Sequence, residues 1–489
     1  MSKYKYESEW PDVPLKQSRY VKVIEERANS ENYKMLYDRL STNILILDEA
    51  GTNIYNSFVH PSKIGRLFQE ERSEESKTLL KDLLQQNFLV PVYDDEHWKI
   101  DKIKSNIREI PEISTSYLIV TRQCNLRCKY CFLGNSKENT TTMTIETARM
   151  AIDKIMDAIT HSSVKEQKII LYGGEPFIAK KTAFFIGDYV KQKEKDLKAS
   201  GKMKEDVGVY FFIISNGTLI DEEIAKFCRT HDMYISISID GPEEIHNKTR
   251  IYKGGQGTYK EVIRGLKLLQ KEGISVTAST TITNENIEHL DEVTEHIRSL
   301  GFDRISFNIL MGENFETEEM KELAKKTAER IVNLYAKYRE TDFLVYPVIK
   351  QVRPLARGNF HLADCSACTG GQVTISPEGK IGICQAFINN QEQFEYSLKE
   401  TDSIVSLMET APMFNEWKNR SPINMDDCQN CDAIAICGGG CAFNPFYSKG
   451  TIWEPDEMFC PYAKTVLDRM LEDIFHKTVE SDKATFLSK

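Results

Sequence analysis

Between residues 115 and about 310 the sequence alternates short apolar, β-branched runs with helical patterns. The runs are Tyr117 to Val120, Ile169 to Tyr172, Val209 to Ile214, Ile235 to Ile239, Ile274 to Ile282 and Ile305 to Leu310. Between the first two, Ile145, Ala148, Ile152, Ile155 and Ile159 recur at spacings of 3, 4, 3 and 4, the period of one helix face. Strands separated by helices pair in parallel, because a tight turn cannot join parallel neighbours. Six such units predict a parallel sheet, either open or closed into a partial barrel. In both architectures chemistry sits at the carboxyl ends of the strands. That rule picks out the loops after Val120, Tyr172, Ile214 and Ile239.

The rest of the chain is organised around this block. Residues 1–108 predict a small α+β module. Asn43 to Leu47 and Thr52 to Tyr55 flank Asp48-Glu49-Ala50-Gly51 as a hairpin, and Leu79, Leu80, Leu83 and Leu84 repeat at helical spacing. Phe88 to Val92 reads as a strand, and Asp94 to Asn106 as a linker. The barrel block is assigned 109–312, a helical connection 313–364, a cysteine-rich region 365–462 and a terminal helix 463–489, whose apolar stripe runs from Val466 to Phe475. Lys191 to Asp206 is charge-rich and reads as a solvated helix end and loop.

Composition narrows the function. With 63 basic and 73 acidic residues the chain carries a formal charge of −10, which gives no bulk attraction to nucleic acid or an anionic membrane. Neither is expected as a partner. The longest compact apolar run, Val209 to Ile214, falls far short of the ~18 residues of a membrane span. Met1 to Glu7 lacks an apolar signal core, so a cytoplasmic location is expected. The 12 cysteines then read as thiols, and spaced thiols in a reducing compartment are metal ligands or catalytic groups before they are disulfides.

The thiols are clustered. Cys124, Cys128 and Cys131 directly follow the first strand of the block; Cys365, Cys368, Cys384, Cys428, Cys431, Cys437, Cys441 and Cys460 form a second group. Cys228 stands alone in a helical pattern and reads as a small buried hydrophobe. A structural zinc site takes four protein ligands. Three thiols with no fourth Cys or His nearby point instead to a metal assembly with one open position, such as an iron–sulfur cluster.

The run Cys124-Asn125-Leu126-Arg127-Cys128-Lys129-Tyr130-Cys131 resembles the CxxxCxxC signature of the radical SAM enzymes, including the aromatic Tyr130 before the third Cys. The resemblance implies a partial (β/α)6 TIM-type barrel and a [4Fe–4S] cluster whose open iron is chelated by S-adenosylmethionine (SAM). An external one-electron donor, such as flavodoxin or ferredoxin, then drives cleavage of SAM to a 5′-deoxyadenosyl radical. Gly173-Gly174-Glu175-Pro176 resembles the family's GGEP element: the glycines would admit the methionyl amine and Glu175 would accept from its ammonium. Ser215 and Asn216 follow the third strand, with Asn216 placed for a ribose hydroxyl; Ser238 and Asp240 end the fourth. Arg250 or Ser238 would meet the SAM carboxylate, and bidentate geometry favours Arg. Gly254 to Gly257 reads as a turn before a helix capped by Thr258, not as a dinucleotide loop.

The second group, with Cys428-x2-Cys431-x5-Cys437-x3-Cys441 and a final Cys460, resembles the SPASM extension of radical SAM proteins. The resemblance implies two auxiliary [4Fe–4S] clusters, making three in all. Cys428, Cys431, Cys437 and Cys460 would hold the outer one; Cys365, Cys368, Cys384 and Cys441 would hold the inner one. Either Cys365 or Cys368 is a spare, leaving an open iron for a substrate thiolate, or both clusters are fully ligated electron relays.

The SPASM resemblance implies a peptide substrate, and the first region resembles the winged-helix-like recognition modules of ribosomal-peptide maturases. There the leader segment of a precursor peptide adds as a strand to an exposed edge. The function implied is a peptide maturase installing an intramolecular crosslink, with a Cys thioether leading and a carbon–carbon bond second. A formylglycine-forming sulfatase maturase is weakened because Gln385, not an Asp, follows Cys384. A zinc-stabilised, non-catalytic peptide adaptor is the alternative from another class.

Overall fold

A computed structural model describes residues 13–28, 31–64, 73–133, 140–309 and 318–480. Met1 to Glu7 and Leu310, on which two of the expectations above rest, lie outside the described residues.

The central element is one ten-stranded sheet. Its strands are β6 (Thr115–Thr121), β7 (Glu166–Gly173), β8 (Gly208–Ser215), β9 (Tyr234–Ser238), β10 (Val276–Thr281), β11 (Arg304–Asn308), β12 (Leu344–Val345), β13 (Gln372–Ile375), β14 (Lys380–Gly382) and β15 (Tyr396–Ser397). Spatial order is β12-β11-β10-β9-β8-β7-β6-β13-β14-β15, and every pair from β12 to β13 is parallel. The mixed α/β class and the parallel sheet expected from the sequence are therefore present. Four strands, β12 to β15, were not foreseen. β12 arises inside the segment expected to be only helical and connective, and is a two-residue stretch too short to show a period. β13 arises in the cysteine-rich region and pairs Val373 and Thr374 with Ser116 and Tyr117, so that region grows directly off the barrel sheet.

Alternation along the strands sets what faces the lumen. Ile169 and Leu171 are buried under the helix layer, while Tyr172 turns inward. The helix Ile145–Thr160 starts at Thr144, whose hydroxyl accepts from the Thr147 amide, and buries Ala148, Ile152, Ile155 and Ile159. Ile145, in its first turn, is 40% exposed and does not join that stripe. Cys228 is fully buried, as a small hydrophobe would be.

The N-terminal region holds an antiparallel meander of β2 (Val21–Ala28), β3 (Glu31–Asp38) and β4 (Ile44–Leu47), and a pair of β1 (Leu15–Gln17) with β5 (Leu89–Pro91); these labels precede those above in chain order. The expected hairpin at 43–55 is absent. Residues Glu49–Asn56 form a helix because Asp48 caps it, accepting from the Gly51 amide at 2.7 Å. The expected linker at 94–106 contains the helix His97–Lys104, pinned by buried Lys99, which reaches Asp38 at 3.2 Å and Glu96 at 3.1 Å. The meander is covered on both faces. Leu36, Leu45 and Leu47 pack on the helix bearing Leu79, Leu80, Leu83 and Leu84; Tyr33, Met35 and Tyr37 pack on Leu467, Leu471 and Phe475 of the terminal helix Phe459–Glu480. Burying Phe475 alone is worth about 1.5–3 kcal/mol. Among the described residues no helix is long and apolar enough to cross a membrane.

Candidate active site at the carboxyl ends of the strands

The loop carrying Cys124, Cys128 and Cys131 leaves β6 and is held on two sides. Arg127 and Lys129 amides donate to the carbonyls of Ile251 and Thr249 at 2.7 and 3.0 Å. On the other side Gly174 and Glu175 amides donate to Thr121 and Gln123 carbonyls at 3.1 and 2.8 Å. Both Gly173 and Gly174 are obligatory there: an added Cβ would lie 2.2 Å from the Thr121 or Gln123 carbonyl oxygen.

The three thiols open onto one cavity of about 360 Å³. Of the residues expected around SAM, Tyr130, Gly173, Gly174, Ser215, Asn216, Ser238 and Arg250 line it. Arg250 is buried and paired to Asp240, Nε to carboxylate 2.9 Å, with its Nη1 at 4.0 Å from the Cys128 sulfur. Tyr130 donates to the same Asp240 carboxylate at 2.6 Å, under the guanidinium. Asp240 is thus the buried post behind the cavity wall rather than part of its surface. Asn216 also differs from expectation. Its Oδ1 accepts from the amide and hydroxyl of Thr218, and its Nδ2 donates to Asn125 at 2.9 Å, so the amide shapes the loop around Cys124.

Glu175 is turned away from the cavity and wholly buried. A buried carboxylate needs donors, and it finds them in the Phe177 amide, the Ser215 hydroxyl at 2.9 Å and the Asn216 amide at 2.7 Å. It ties the loop after β7 to the loop after β8 instead of presenting a free acceptor. Pro176 is buried at the first position of the short 3-10 turn Pro176–Ala179. Thr258 stands at its helix's start, but the capping acceptor is Asn247, which takes the Thr258 and Tyr259 amides at 2.8 and 3.1 Å. Sequence reasoning missed Tyr117, Ser279, Thr281, Asn308 and Gln385, all of which line the cavity. Applying the strand-end rule to β10 and β11 as well would have found Ser279, Thr281 and Asn308.

The eight remaining clustered thiols fall into two sets by mutual proximity. Cys365, Cys384 and Cys441 line a second cavity of about 350 Å³, which shares Tyr117, Asn308, Ile309 and Gln385 with the first. Cys368 sits behind them, 3.8 Å from Cys365 and facing Arg420. The contact between the two sulfurs lowers the Cys365 thiol and, with burial, raises that of Cys368. Burial raises the Cys428, Cys437 and Cys460 thiols, and a charge on the neighbouring Cys431 would raise all three further. Among the described residues no three His, Cys, Asp or Glu side chains form the compact group that would hold a single ion.

Residues 118–297 match the radical SAM superfamily. The chain carries a radical SAM domain, and it is an enzyme of that class. It is 24% identical over 483 residues to the radical SAM cyclopropyl synthase TigE of Paramaledivibacter caminithermalis, covering 93% of this chain and 92% of that one. It is 23% identical over 385 residues to a cysteine-type anaerobic sulfatase-maturating enzyme of Clostridium novyi, covering 74% and 96%. In fold it is similar to SuiB of Streptococcus suis, solved bound to precursor peptide SuiA, with TM-score 0.51, 15% identity, and coverage of 91% and 99%.

Radical SAM enzymes use a [4Fe–4S] cluster and SAM, and the donor set here fits that pair. Burial pushes the Cys124 thiol up to about 12 and raises Cys128, with the Arg250 charge opposing at Cys128. Such thiols ionise only against a bound cation, so loading iron releases their protons. Thiolates without carboxylates are the ligands that iron–sulfur clusters require. The bound pair supplies a hydrogen-abstracting radical when SAM is reductively cleaved. The chain's own part is to hold Arg250 rigid through Asp240, leaving guanidinium N–H groups for a carboxylate in the cavity.

Glu175 provides a pH test. Burial pushes its carboxyl from 4.5 up to about 7, against three stabilising hydrogen bonds. Between those values the folded chain holds one proton more than the unfolded chain, so this group's stabilising contribution is full below pH 4.5 and is lost as pH rises to about 7. Glu175→Gln is expected to remove that decline, seen in the wild-type-minus-variant difference of urea midpoints of the iron-free protein between pH 5 and 8, at about 1.4 kcal/mol per pH unit at most.

Proposed function

We propose that the chain is a peptide maturase with three [4Fe–4S] clusters, which removes hydrogen from a ribosomal precursor peptide and installs an intramolecular crosslink. The observation carrying this reading is the continuity of the two cavities: Tyr117, Asn308, Ile309 and Gln385 line both the space over Cys124, Cys128 and Cys131 and the space over Cys365, Cys384 and Cys441. A peptide loop fits a channel of this breadth. The ligand sets are Cys124, Cys128 and Cys131 for SAM's cluster, Cys428, Cys431, Cys437 and Cys460 for the outer auxiliary cluster, and the Cys365 set for the inner one. Only Cys365, Cys384 and Cys441 of that inner set face the channel. This favours an inner cluster with one iron open to a substrate thiolate, and with it a thioether product.

A carbon–carbon product is the second reading. It is favoured by the match over most of the chain to a cyclopropyl synthase. The formylglycine reading is not favoured, because Gln385 accepts from the Gln372 amide at 2.9 Å and supplies no carboxylate beside Cys384. The leader segment would pair with β4, which among the described residues has β3 as its one strand neighbour. Ile44 and Ile46 of β4, with Leu355, Met470 and Ile474, line an adjoining cavity of about 410 Å³. The electron comes from flavodoxin or ferredoxin.

Co-expression with a precursor peptide encoded in the neighbouring reading frame tests the reading. Mass spectrometry is expected to find two hydrogens lost per crosslink. Alkylation separates the products: a thioether leaves its Cys unreactive, whereas a carbon–carbon bond leaves every Cys open to iodoacetamide. A peptide of unchanged mass, with SAM cleaved, would refute a crosslinking role.

A further inference from the structure

Arg420 follows the helix Pro412–Lys418 and is completely buried. Its guanidinium lies against the three-glycine turn between Cys437 and Cys441, where a Cβ on Gly439 would stand 3.3 Å from Nη1. Nη1 donates to the Gly440 carbonyl at 3.3 Å and lies 3.9 Å from the Cys368 sulfur, and Nε donates to the Ile452 carbonyl. Nη2 is buried without a partner. Among the described residues, then, its partners are two carbonyls and a sulfur, with no carboxylate.

A guanidinium does not shed its proton, so a buried one demands negative charge close by. Asp456 is near enough to feel Arg420, yet its oxygens accept from the amides of Cys441, Met458 and Phe459 and from Asn444. The remaining source of negative charge is the thiols themselves once they bind iron. Arg420 lies against the three-glycine turn that joins Cys437 of one set to Cys441 of the other, and its Nη1 stands 3.9 Å from the Cys368 sulfur. It therefore stands between the two sets rather than within either.

We propose that Arg420 is a positioning and tuning residue shared by the two auxiliary clusters, the fixed cation that raises their reduction potentials and eases uptake of one electron by each. This rests on the reading that the two thiol sets hold clusters. Its basis is separate, however: a fully buried charge with no carboxylate partner among the described residues, whose Nη2 has no hydrogen-bond partner there.

The test is a redox titration followed by electron paramagnetic resonance. It uses the Cys124→Ala/Cys128→Ala/Cys131→Ala protein as parent, so that only auxiliary clusters respond. Adding Arg420→Met is expected to lower the reduced-to-oxidised ratio of each auxiliary cluster tenfold at the parent's midpoint, which is about 59 mV for a one-electron couple, and a shift confined to one cluster overturns the sharing. Arg420→Lys, which keeps the charge, is expected to restore most of it. An iron-replete Arg420→Met protein with parental midpoints overturns the proposal. Should Arg420→Met fail to take up iron, Arg420→Lys decides: loading with near-parental midpoints supports a charge role, and equal failure overturns it in favour of shape. A parent without auxiliary iron defeats the underlying cluster reading instead, before any Arg420 variant is made.

Discussion

Replacing Cys124, Cys128 and Cys131 together by Ala is expected to abolish 5′-deoxyadenosine formation from SAM under dithionite, down to the level of an enzyme-free control. The three thiols open onto one cavity, and no other Cys lines it. Thiolate ligands have no substitute among the Ser, Thr and Asn side chains around them. The other eight clustered thiols occupy separate sets, so the variant should keep its auxiliary iron, falling from about twelve to about eight irons per chain if all three clusters are cubanes. Iron analysis and product chromatography on one preparation check both halves. Residual 5′-deoxyadenosine above control would mean that the cavity over these thiols is not where SAM is cleaved.

The second large effect is expected at Asp240. This carboxylate, itself only 1% exposed, takes Arg250 Nε at 2.9 Å, the Tyr130 hydroxyl at 2.6 Å and the Thr281 amide at 3.0 Å. Asp240→Ala leaves Arg250 as an unpaired buried cation, which costs about 3–5 kcal/mol in comparable cases. The same change frees the guanidinium to swing, so SAM affinity should fall along with stability. Adding Arg250→Met to Asp240→Ala removes the stranded charge and should recover part of the stability while leaving SAM binding lost. Denaturant midpoints and equilibrium dialysis of SAM separate these outcomes. Equal stability of the single and double variants would show that the Asp240–Arg250 pair is not the buried support described here.

The Cys124 loop and the Asp240 support differ in what encodes them. The Cys124 loop was legible because ligand spacing is a covalent, local property: three thiols within eight residues behind a strand leave few alternatives. Arg250 was named from the sequence as well, but Asp240 was placed beside it among cofactor contacts. Only the fold turned Asp240 into the buried partner, because the two are ten residues apart and meet across the short helix Glu243–Thr249. Glu175 was misdirected for a similar reason. Its acceptor chemistry was right, but Asn216 and Ser215 reached it before any ligand could.

The hairpin expected at 43–55 failed on a single hydrogen bond. β-branched and polar residues there fit a strand or a helix about equally, and the Asp48 side chain tipped the balance by capping the Gly51 amide. The helix His97–Lys104 was hidden by composition: its charged residues suggested solvent, whereas Lys99 is buried against Asp38 and Glu96.

What the amino-acid order settled unaided was the repeating strand–helix alternation and the positions of the thiols. Each depends on neighbours along the chain, and periodicity and spacing report such neighbours faithfully. What required the folded molecule was every pairing between distant segments. Examples are β13 joining β6, the two cavities meeting at Tyr117 and Asn308, and Arg420 without a carboxylate partner among the described residues, beside the cysteines. Such pairings follow from how helices and strands pack to bury apolar surface, and the residues that meet there carry no local pattern that announces their partner.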